Sequence, residues 1–248
     1  ARAGHLEFHQ LALGKSPYEL VVLVQAYNEE DFITRFLAEA VAIADGIVLF
    51  DDGSTDRTNE FASHEKLILK IRKKHNDGFN DLAKRNLLLS FAQLIPSRWF
   101  IFLDVDEIVD ERSRPALEEV IKRSDADVIE AGIVQMWGDE EHIRVDLPPP
   151  SVGGVRWTPK LFRKKEQMRI LSSKRHHFKL TPYETDKVER TRIIIRHYGN
   201  ISRERRLMRY ERYTQEDPDR AYQPSYEHLL AEEATLKPIK ILYEETDP

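Results

Sequence analysis

Four short apolar segments, separated by helical patterns, constrain the fold of this chain more than any other feature. They read LVVLVQ (20–25), GIVLF (46–50), LILKI (67–71) and WFIFL (99–103). Continuous apolar runs rich in β-branched and aromatic residues are typical of strands buried in a parallel sheet. Between them, apolar residues recur at spacings of three and four, as in amphipathic helices. The alternation predicts an α/β fold, in which a mostly parallel sheet carries helices on both faces.

The second half of the chain has a different pattern. DVIEAGIVQMW (127–137) and RIIIRHYG (192–199) indicate two further strands, while DLPPPSVGG (146–154) indicates a loop, because three consecutive prolines continue neither helix nor sheet. SRERRLMRYERYTQ (202–215) predicts a helix capped by Ser202, and Asn80 or Asp81 is the expected cap of an earlier helix. The remaining residues are acidic and predict either a tail or a docked helix.

Composition narrows the class of protein. A chain of 248 residues with 41% hydrophobic and 33% charged residues is typical of a soluble globular domain. The absence of cysteine excludes disulfides and thiolate metal sites. No signal-peptide pattern and no apolar run of about 20 residues is present, so we expect no transmembrane segment and a cytoplasmic location.

The net charge of −5 conceals an uneven distribution. Residues 156–212 contain 18 Lys or Arg against 6 Asp or Glu, a balance of +12, so the rest of the chain carries −17. A basic third on an acidic chain predicts one surface that binds an anion; the alternative is an ordinary solvated surface.

Polar motifs follow three of the four predicted strands. QAYNEE, DDGSTD and DVDE come directly after their strands, and ligands of parallel α/β sheets bind beyond the carboxyl ends of the strands. We therefore expect these motifs to converge at one edge. Tyr27 would stack on a base or simply pack under a helix. Lys84 and Arg85, at the start of a helix, would bind a diphosphate or form a solvated helix face.

Asp104 and Asp106 flank Val105, so in an extended segment their side chains point the same way. Two such carboxylates can hold a hard divalent cation and leave room for phosphate oxygens, which favours Mg²⁺ or Mn²⁺. The alternative is a solvated acidic loop, since the D-x-D pattern is common.

The order YNEE, DDGSTDRT, AKRN and DVDE resembles glycosyltransferase family 2, the inverting nucleotide-sugar transferases with a Rossmann-like, type A glycosyltransferase fold. The likeness covers residues 20 to about 110 and continues through PKLFRKK (159–165) and RHYGNISRERRLMRYERY (196–213), which are similar to the lipopolysaccharide-core-type branch. It implies a single domain over residues 1–248, in which the Rossmann-like fold carries a basic C-terminal extension. Within this domain we expect a nucleotide-sugar half (20–110), an acceptor-side half (111–215) and a C-terminal tail or docked helix (216–248).

The resemblance also implies roles. Asp52 would contact the base, Arg85 the donor, Asp104 the ribose, and Asp106 the metal, with His197 completing the metal or diphosphate site. The predicted residues for the nucleotide sugar, expected to be a uridine diphosphate (UDP) sugar, are Ala26, Tyr27, Glu29, Asp51, Asp52, Lys84, Arg85, Asp104 and Val105. The predicted metal ligands are Asp104, Asp106 and His197.

The general base is less well defined by the resemblance. Many relatives carry a His-Glu or Glu-Asp pair that supplies the base, where this chain reads KRHHFKL (174–180), without an acid. The candidates are His176, His177, Glu184 and Asp139, beside Asp106 as the other predicted catalytic residue.

The expected reaction is a single displacement, in which an acceptor hydroxyl attacks the anomeric carbon and inverts it. The basic segment predicts an anionic acceptor: a phosphorylated or acidic glycan, a lipid-linked glycan reached by peripheral membrane contact, or nucleic acid. Two rival interpretations are a non-catalytic nucleotide- or glycan-binding module of the same fold and a nucleotidyltransferase.

Overall fold

A computed structural model of the protein describes residues 6–11, 17–76, 78, 80–147, 151–174, 178–221 and 223–244. The strands are β1 (Leu6–Leu11), β2 (Tyr18–Ala26), β3 (Gly46–Asp51), β4 (Leu67–Lys73), β5 (Ser97–Asp104), β6 (Glu107–Val109), β7 (Val128–Gln135), β8 (His142–Arg144), β9 (Val155–Arg163), β10 (Val188–His197) and β11 (Leu236–Pro238). The helices are α1 (Ile33–Ala40), α2 (Thr58–Phe61), α3 (Asp81–Ala92), α4 (Arg114–Arg123), α5 (Arg203–Glu216) and α6 (Ile241–Glu244), with short 3-10 turns at Glu111–Ser113 and Glu227–Leu230.

Nine of the strands form one sheet in the order β1-β4-β3-β2-β5-β9-β7-β10-β6. Strands β4, β3, β2 and β5 are neighbours and run parallel, as do β7 and β10. Strand β9 lies antiparallel between β5 and β7, and β1 and β6 are antiparallel strands at the two sides. All six predicted strands are present, and β9 is a strand that the sequence patterns did not predict.

The central strand β2 shows why helices cover both faces. Val22 and Val24 point into a core that also contains residues of α1 and α4. Val21 and Leu23 point the other way, into a core shared with α3. Both faces of β2 are therefore buried, as its continuous apolar run predicts. The predicted α/β class, with helices on both faces of a large and mostly parallel sheet, is confirmed.

Two helices that matter for function begin at their predicted caps. Asn80 Oδ1 accepts a hydrogen bond from the Ala83 amide at 3.2 Å and starts α3. Ser202 Oγ accepts one from the Arg205 amide at 3.2 Å and starts α5. Each cap satisfies one of the free N–H groups of the first helical turn and so fixes where the following basic residues lie.

The segment after α5 returns to the body of the protein. Strand β11 pairs antiparallel with β8, and Ile239 beside it is fully buried. Ile239, with Leu242 and Tyr243 packed beside it, thus contributes to a small third core around Ile143 and Tyr198. Among the described helices, none combines the length and the apolar character needed to cross a lipid bilayer.

Candidate functional site

The carboxyl ends of the parallel strands meet at one edge of the sheet, and the polar motifs meet there with them. Gln25 pairs with Asp104 of β5, and Ala26 pairs with Asp51 of β3. Strands β7 and β10, parallel to each other, end at the same edge with Gln135 beside His197. Residues that are distant in sequence therefore surround one region, which we call the carboxyl edge.

A cavity of about 160 Å³ opens at this edge. We call it the edge pocket, and it is lined by Gln25, Tyr27, Glu29, Asp81, Arg85, Asp104, Val105, Asp106, Arg205, Arg209, Arg212 and Tyr213. Six of the predicted site residues are among them. The volume is small against the roughly 300–1,000 Å³ of ordinary ligand pockets, and three arginine side chains of α5 contribute to the lining.

Three carboxylates of the edge pocket each contact an arginine. Arg85 donates to Asp104 Oδ1, Arg205 Nη2 lies 2.9 Å from Glu29 Oε2, and Arg209 Nη1 lies 3.0 Å from Asp106 Oδ2. A fourth cation, Arg212, lies over the ring of Tyr27, with 5.5 Å between the guanidinium carbon and the ring centroid. The pocket thus combines an aromatic ring with several cations whose partners are acids.

Asp104 is held at the end of β5 by a buried ion pair below it. Lys160 of β9 donates to Glu107 Oε2, and both side chains are almost fully buried. The same Glu107 oxygen accepts the Asp104 amide at 3.0 Å. Burial raises the pKa of Glu107 despite Lys160. Burial also disfavours the charge of Asp104, but Arg85 and Lys160 outweigh it and hold the pKa of Asp104 well below its ordinary value.

Asp106 and His197, two predicted metal ligands, lie together. His197 Nε2 is 3.4 Å from Asp106 Oδ2, and the Arg209 guanidinium lies 3.2 Å from His197 Nε2. Burial lowers the pKa of His197 to about 4, against the opposing effect of Asp106. The ring is therefore neutral at pH 7. Its Nδ1, 2.6 Å from Gln135 Oε1, is assigned the proton from this network, which leaves Nε2 to accept a hydrogen bond from Arg209 Nη1.

This arrangement bears on the predicted divalent metal. The Asp106 carboxylate and the neutral His197 ring both contact one cation, the Arg209 guanidinium. The third predicted ligand, Asp104, pairs with Arg85 instead. Within the described residues no three potential metal ligands come together. Asp106 and His197 fit a hard cation only when phosphate oxygens of a bound nucleotide complete its coordination, which is how Mg²⁺ is commonly held.

Gly199 permits the approach of Arg209 to Asp106. A Cβ at this position would lie 1.4 Å from Arg209 Nη1 and 2.4 Å from Asp106 Oδ2. Any side chain here would displace the guanidinium from the carboxylate, so Gly199, just after β10, leaves space for the cation.

Asp51, Asp52 and Lys84 lie behind the edge pocket rather than on its wall. Asp52 is fully buried; its Oδ2 lies 2.5 Å from Lys84 Nζ and accepts from Asn76 Nδ2 at 2.7 Å. Lys84 also donates to the Gly78 carbonyl oxygen at 2.7 Å. In this conformation Lys84 compensates the negative charge of Asp52. Asp51 Oδ1 accepts a hydrogen bond from the Ser54 amide within the turn around Gly53. Ala26 is buried, with its carbonyl oxygen bonded to the Asp52 amide.

The structure separates the candidates for the general base. His176 and His177 lie outside the described residues. Glu184 is exposed beside Thr185, which bonds Asp127 at the start of β7, so Glu184 lies at the edge opposite the edge pocket. Asp139 follows β7 at the carboxyl edge, but it is exposed and accepts the Glu141 and His142 amides of its own turn. The positions of Glu184 and Asp139 therefore do not support the prediction that they deprotonate an acceptor at the edge pocket.

The basic segment 156–212 does not form one surface, contrary to the inference from charge. Arg163 of β9 is the strand-register partner of Trp99 at the start of β5, and Lys164 Nζ donates to the Ile95 carbonyl oxygen. These two basic residues therefore lie at the edge of the sheet opposite the carboxyl edge. Arg205, Arg209 and Arg212 line the edge pocket instead. A charge count along the chain cannot show this, because β9 runs antiparallel and carries its basic end away from the carboxyl edge.

Several lining residues were not predicted as part of the nucleotide site. Gln25, Asp81, Arg205, Arg209, Arg212 and Tyr213 all contribute to the edge pocket. The helical spacing of Arg205, Arg209 and Arg212 puts them on one face of α5, a signal that was present in the sequence. Their partners Glu29 and Asp106 are 176 and 103 residues away, however, and local patterns do not show such contacts.

Glu29 gives the pocket a measurable pH dependence. Burial, reinforced by the charge of Asp106, raises the pKa of Glu29 from 4.5 to about 7. Between these values the folded protein holds a proton that the unfolded chain has lost, so this group's contribution to stability falls as the pH rises from about 4.5 to about 7, by about 3 kcal/mol at most. We expect Glu29→Gln to lack this fall. Urea unfolding of both proteins from pH 4 to 8 measures it, and parallel stability curves would contradict the prediction.

Comparison with known proteins identifies a family model that matches most of the chain. The family model for Glycosyl transferase family 2 matches residues 21–206, about three quarters of the chain. No curated protein sequence matches the chain at a significant level.

Solved structures of glycosyltransferases are similar to the chain at low identity. TarS residues 1–349 from S. aureus in complex with UDP-GlcNAc is 21% identical over 58% of this chain, with a TM-score of 0.42, and the chain spans 45% of that protein. Another structure of TarS 1–349 is 16% identical, with a TM-score of 0.47, over 86% of this chain and 69% of its own. The mannosyltransferase PcManGT from Pyrobaculum calidifontis, in complex with GDP-Man and Mn²⁺, is 14% identical, with a TM-score of 0.38, over 62% of this chain and 47% of its own.

Proposed function

The chain belongs to glycosyltransferase family 2, and we propose that it transfers a sugar from a UDP donor to an acceptor hydroxyl with inversion at the anomeric carbon. The observation that carries the proposal is the edge pocket, in which Arg85, Arg205, Arg209 and Arg212 meet an aromatic ring at the carboxyl ends of parallel strands. A nucleoside diphosphate combines a planar base with clustered negative charge, and this lining matches both properties.

The three acid–arginine pairs explain how the pocket accepts such an anion. Each arginine is held by one carboxylate, so the diphosphate would replace a carboxylate as its partner or share the guanidinium with it. Buried Arg85 retains an Nη1 that has no hydrogen-bond partner among the described residues. An unsatisfied buried donor is costly, and a phosphate oxygen would relieve that cost.

In this proposal each group has a distinct task. Tyr27 stacks against uracil, Arg85 and the α5 arginines bind the phosphates, and Asp104 accepts from the ribose. Asp106 and His197 hold the cation beside the leaving phosphate. A divalent ion, if it takes that place, supplies stabilisation of the charge that develops on the departing nucleoside diphosphate. The arginines supply the same kind of preorganised stabilisation from the protein itself.

Calorimetry tests the binding step. We expect UDP to bind the wild-type protein more tightly than guanosine diphosphate (GDP), and Arg209→Gln to weaken UDP by roughly tenfold or more, since a charge-assisted hydrogen bond is lost. Arg203→Gln is the matched control, because Arg203 lies on the same helix, is exposed, and is outside the edge pocket. Equal affinity for UDP and GDP would contradict the uridine assignment, and equal effects of the two substitutions would contradict the placement of the diphosphate.

The reaction class needs its own assay. Incubation with a UDP sugar and an acceptor should release UDP together with a glycoside of the acceptor that has inverted anomeric configuration. Release of pyrophosphate would indicate nucleotidyl transfer instead. Tight UDP binding without turnover of any UDP sugar, with or without Mn²⁺, would favour the non-catalytic binding module.

A further inference from the structure

A second and larger cavity lies at the carboxyl edge, on the far side of His197 from the edge pocket. Its volume is about 520 Å³. We call it the C-terminal cavity, because the segment after α5 forms one of its walls. It is lined by Ile133, Gln135, Leu147, Ser151, Arg156, Asn200, Gln223, Pro224, Ser225 and His228.

One short chain of contacts connects the two cavities. Asp106 lines the edge pocket, and its Oδ2 is 3.4 Å from His197 Nε2. The other ring nitrogen of His197 is 2.6 Å from Gln135 Oε1, and Gln135 lines the C-terminal cavity. The path from one cavity to the other thus passes through a single imidazole and a single amide, so a molecule in the C-terminal cavity lies close to the proposed donor site.

The amide groups in this wall are oriented and incompletely satisfied. Gln135 Oε1 accepts from both His197 Nδ1 and Asn200 Nδ2, the latter at 2.8 Å. Its own NH₂ group makes no hydrogen bond to a described residue and remains for the cavity. Asn200 is only 6% exposed, and its Oδ1 has no partner in the described part of the chain. Buried polar groups without partners are rare and indicate a ligand or ordered water.

Arg156 adds a positive charge. It is exposed at the start of β9, and its side chain forms no ion pair or hydrogen bond with the described residues. The rest of the lining is neutral or apolar, with Ile133, Leu147 and Pro224 among the apolar residues. An apolar wall, amide groups and one guanidinium together match a sugar ring that carries hydroxyls and a single anionic group.

We propose that the C-terminal cavity binds the acceptor, and that the acceptor is a sugar bearing one carboxylate or phosphate, which pairs with Arg156. This rests on the proposed glycosyltransferase function, since the cavity adjoins the donor site across His197. In this arrangement the hydroxyl-bearing part of the sugar faces Gln135 and Asn200, and the anion lies at the outer side. The segment after α5 thereby contributes to acceptor selection.

Ligand-observed NMR tests the proposal with three probes: glucuronic acid, glucose 6-phosphate and glucose, each titrated into the full chain saturated with UDP. We expect at least one of the two acids to bind about tenfold or more tightly than glucose, because a charge-assisted contact is added. Arg156→Gln should remove that advantage, Arg156→Lys should retain part of it, and the charge-matched control Arg203→Gln should leave it unchanged. The two acids distinguish a carboxylate-bearing from a phosphate-bearing acceptor.

The outcomes separate this inference from the proposed function. Equal binding of glucose and both acids, no binding of any probe, or undiminished acid binding by Arg156→Gln would overturn the anionic acceptor site. UDP affinity is measured in the same samples and should be unchanged in Arg156→Gln, because Arg156 is outside the edge pocket. If UDP does not bind while the acids depend on Arg156, the anion site stands and the proposed transferase function fails.

Discussion

Asp106→Asn should reduce sugar transfer by a factor on the order of a hundred or more, while the protein remains folded. Asp106 Oδ2 is the point where Arg209 and His197 meet, so its charge positions the cation beside the proposed leaving phosphate. Asparagine keeps the volume and the polarity but removes the charge. The loss of one preorganised electrostatic group at a developing charge typically costs that much in rate. The measurement is the rate of UDP release from a UDP sugar with saturating acceptor.

Asp139→Asn is the matched control for this substitution. Asp139 lies at the same edge and carries the same group, but it is exposed and outside the edge pocket. We expect it to transfer sugar at nearly the wild-type rate, which would also exclude it as the general base. If Asp106→Asn transfers at the wild-type rate with an unchanged melting temperature, the catalytic role of the Asp106–His197–Arg209 group is wrong.

The parallel half of the fold could be predicted from the sequence because its signals are local. Strands such as 46–50 are short, continuous and apolar, and the caps at Asn80 and Ser202 stand directly before helical patterns. Each of these features depends on neighbouring residues only. The convergence of the motifs then follows from the rule that parallel strands end at one edge.

Strand β9 could not be predicted in the same way. Pro159 stands in its middle, and proline in a strand usually argues against the assignment. The structure accommodates it at an irregularity, where the register shifts between Ile129 and Glu130 of β7. The next residue, Lys160, is charged and yet only 2% exposed, because Glu107 lies opposite. A pattern of buried and exposed residues cannot reveal a lysine that is buried by a partner 53 residues away.

The same limit applies to the candidate site. Glu29, Asp104 and Asp106 follow strands and were predicted, as was Arg85 of α3, the partner of Asp104. The arginine partners of Glu29 and Asp106 come instead from α5, more than 100 residues away, and were not predicted. The high positive charge of 156–212 was visible, but its division between two edges depends on the antiparallel direction of β9. The charge composition indicates that these basic residues will pair with acids or bind anions. Only the topology of the sheet shows which acids they pair with.

Lys160→Met should destabilise the protein by about 3–5 kcal/mol, the usual cost of leaving one partner of a buried ion pair uncompensated. Lys160 and Glu107 are 2% and 3% exposed, so solvent cannot replace the lost ammonium. Protonation of Glu107 would relieve part of this cost, since burial already raises the pKa of Glu107. We therefore expect the loss to be larger at pH 8 than at pH 5. Urea unfolding at both values measures it, and a loss below about 1 kcal/mol at pH 8 would contradict the role assigned to the pair.

The double variant Lys160→Met with Glu107→Leu separates the fold from the site. Replacement of a buried ion pair by apolar residues of similar size is often nearly neutral, so we expect most of the stability to return. Transfer activity should not return, because Glu107 also accepts the Asp104 amide at 3.0 Å and holds that carboxylate at the end of β5. Recovery of both stability and activity would show that Asp104 needs no such support. Recovery of stability alone would show that the buried pair is retained for the geometry of the edge pocket, since an apolar pair supports the fold equally well.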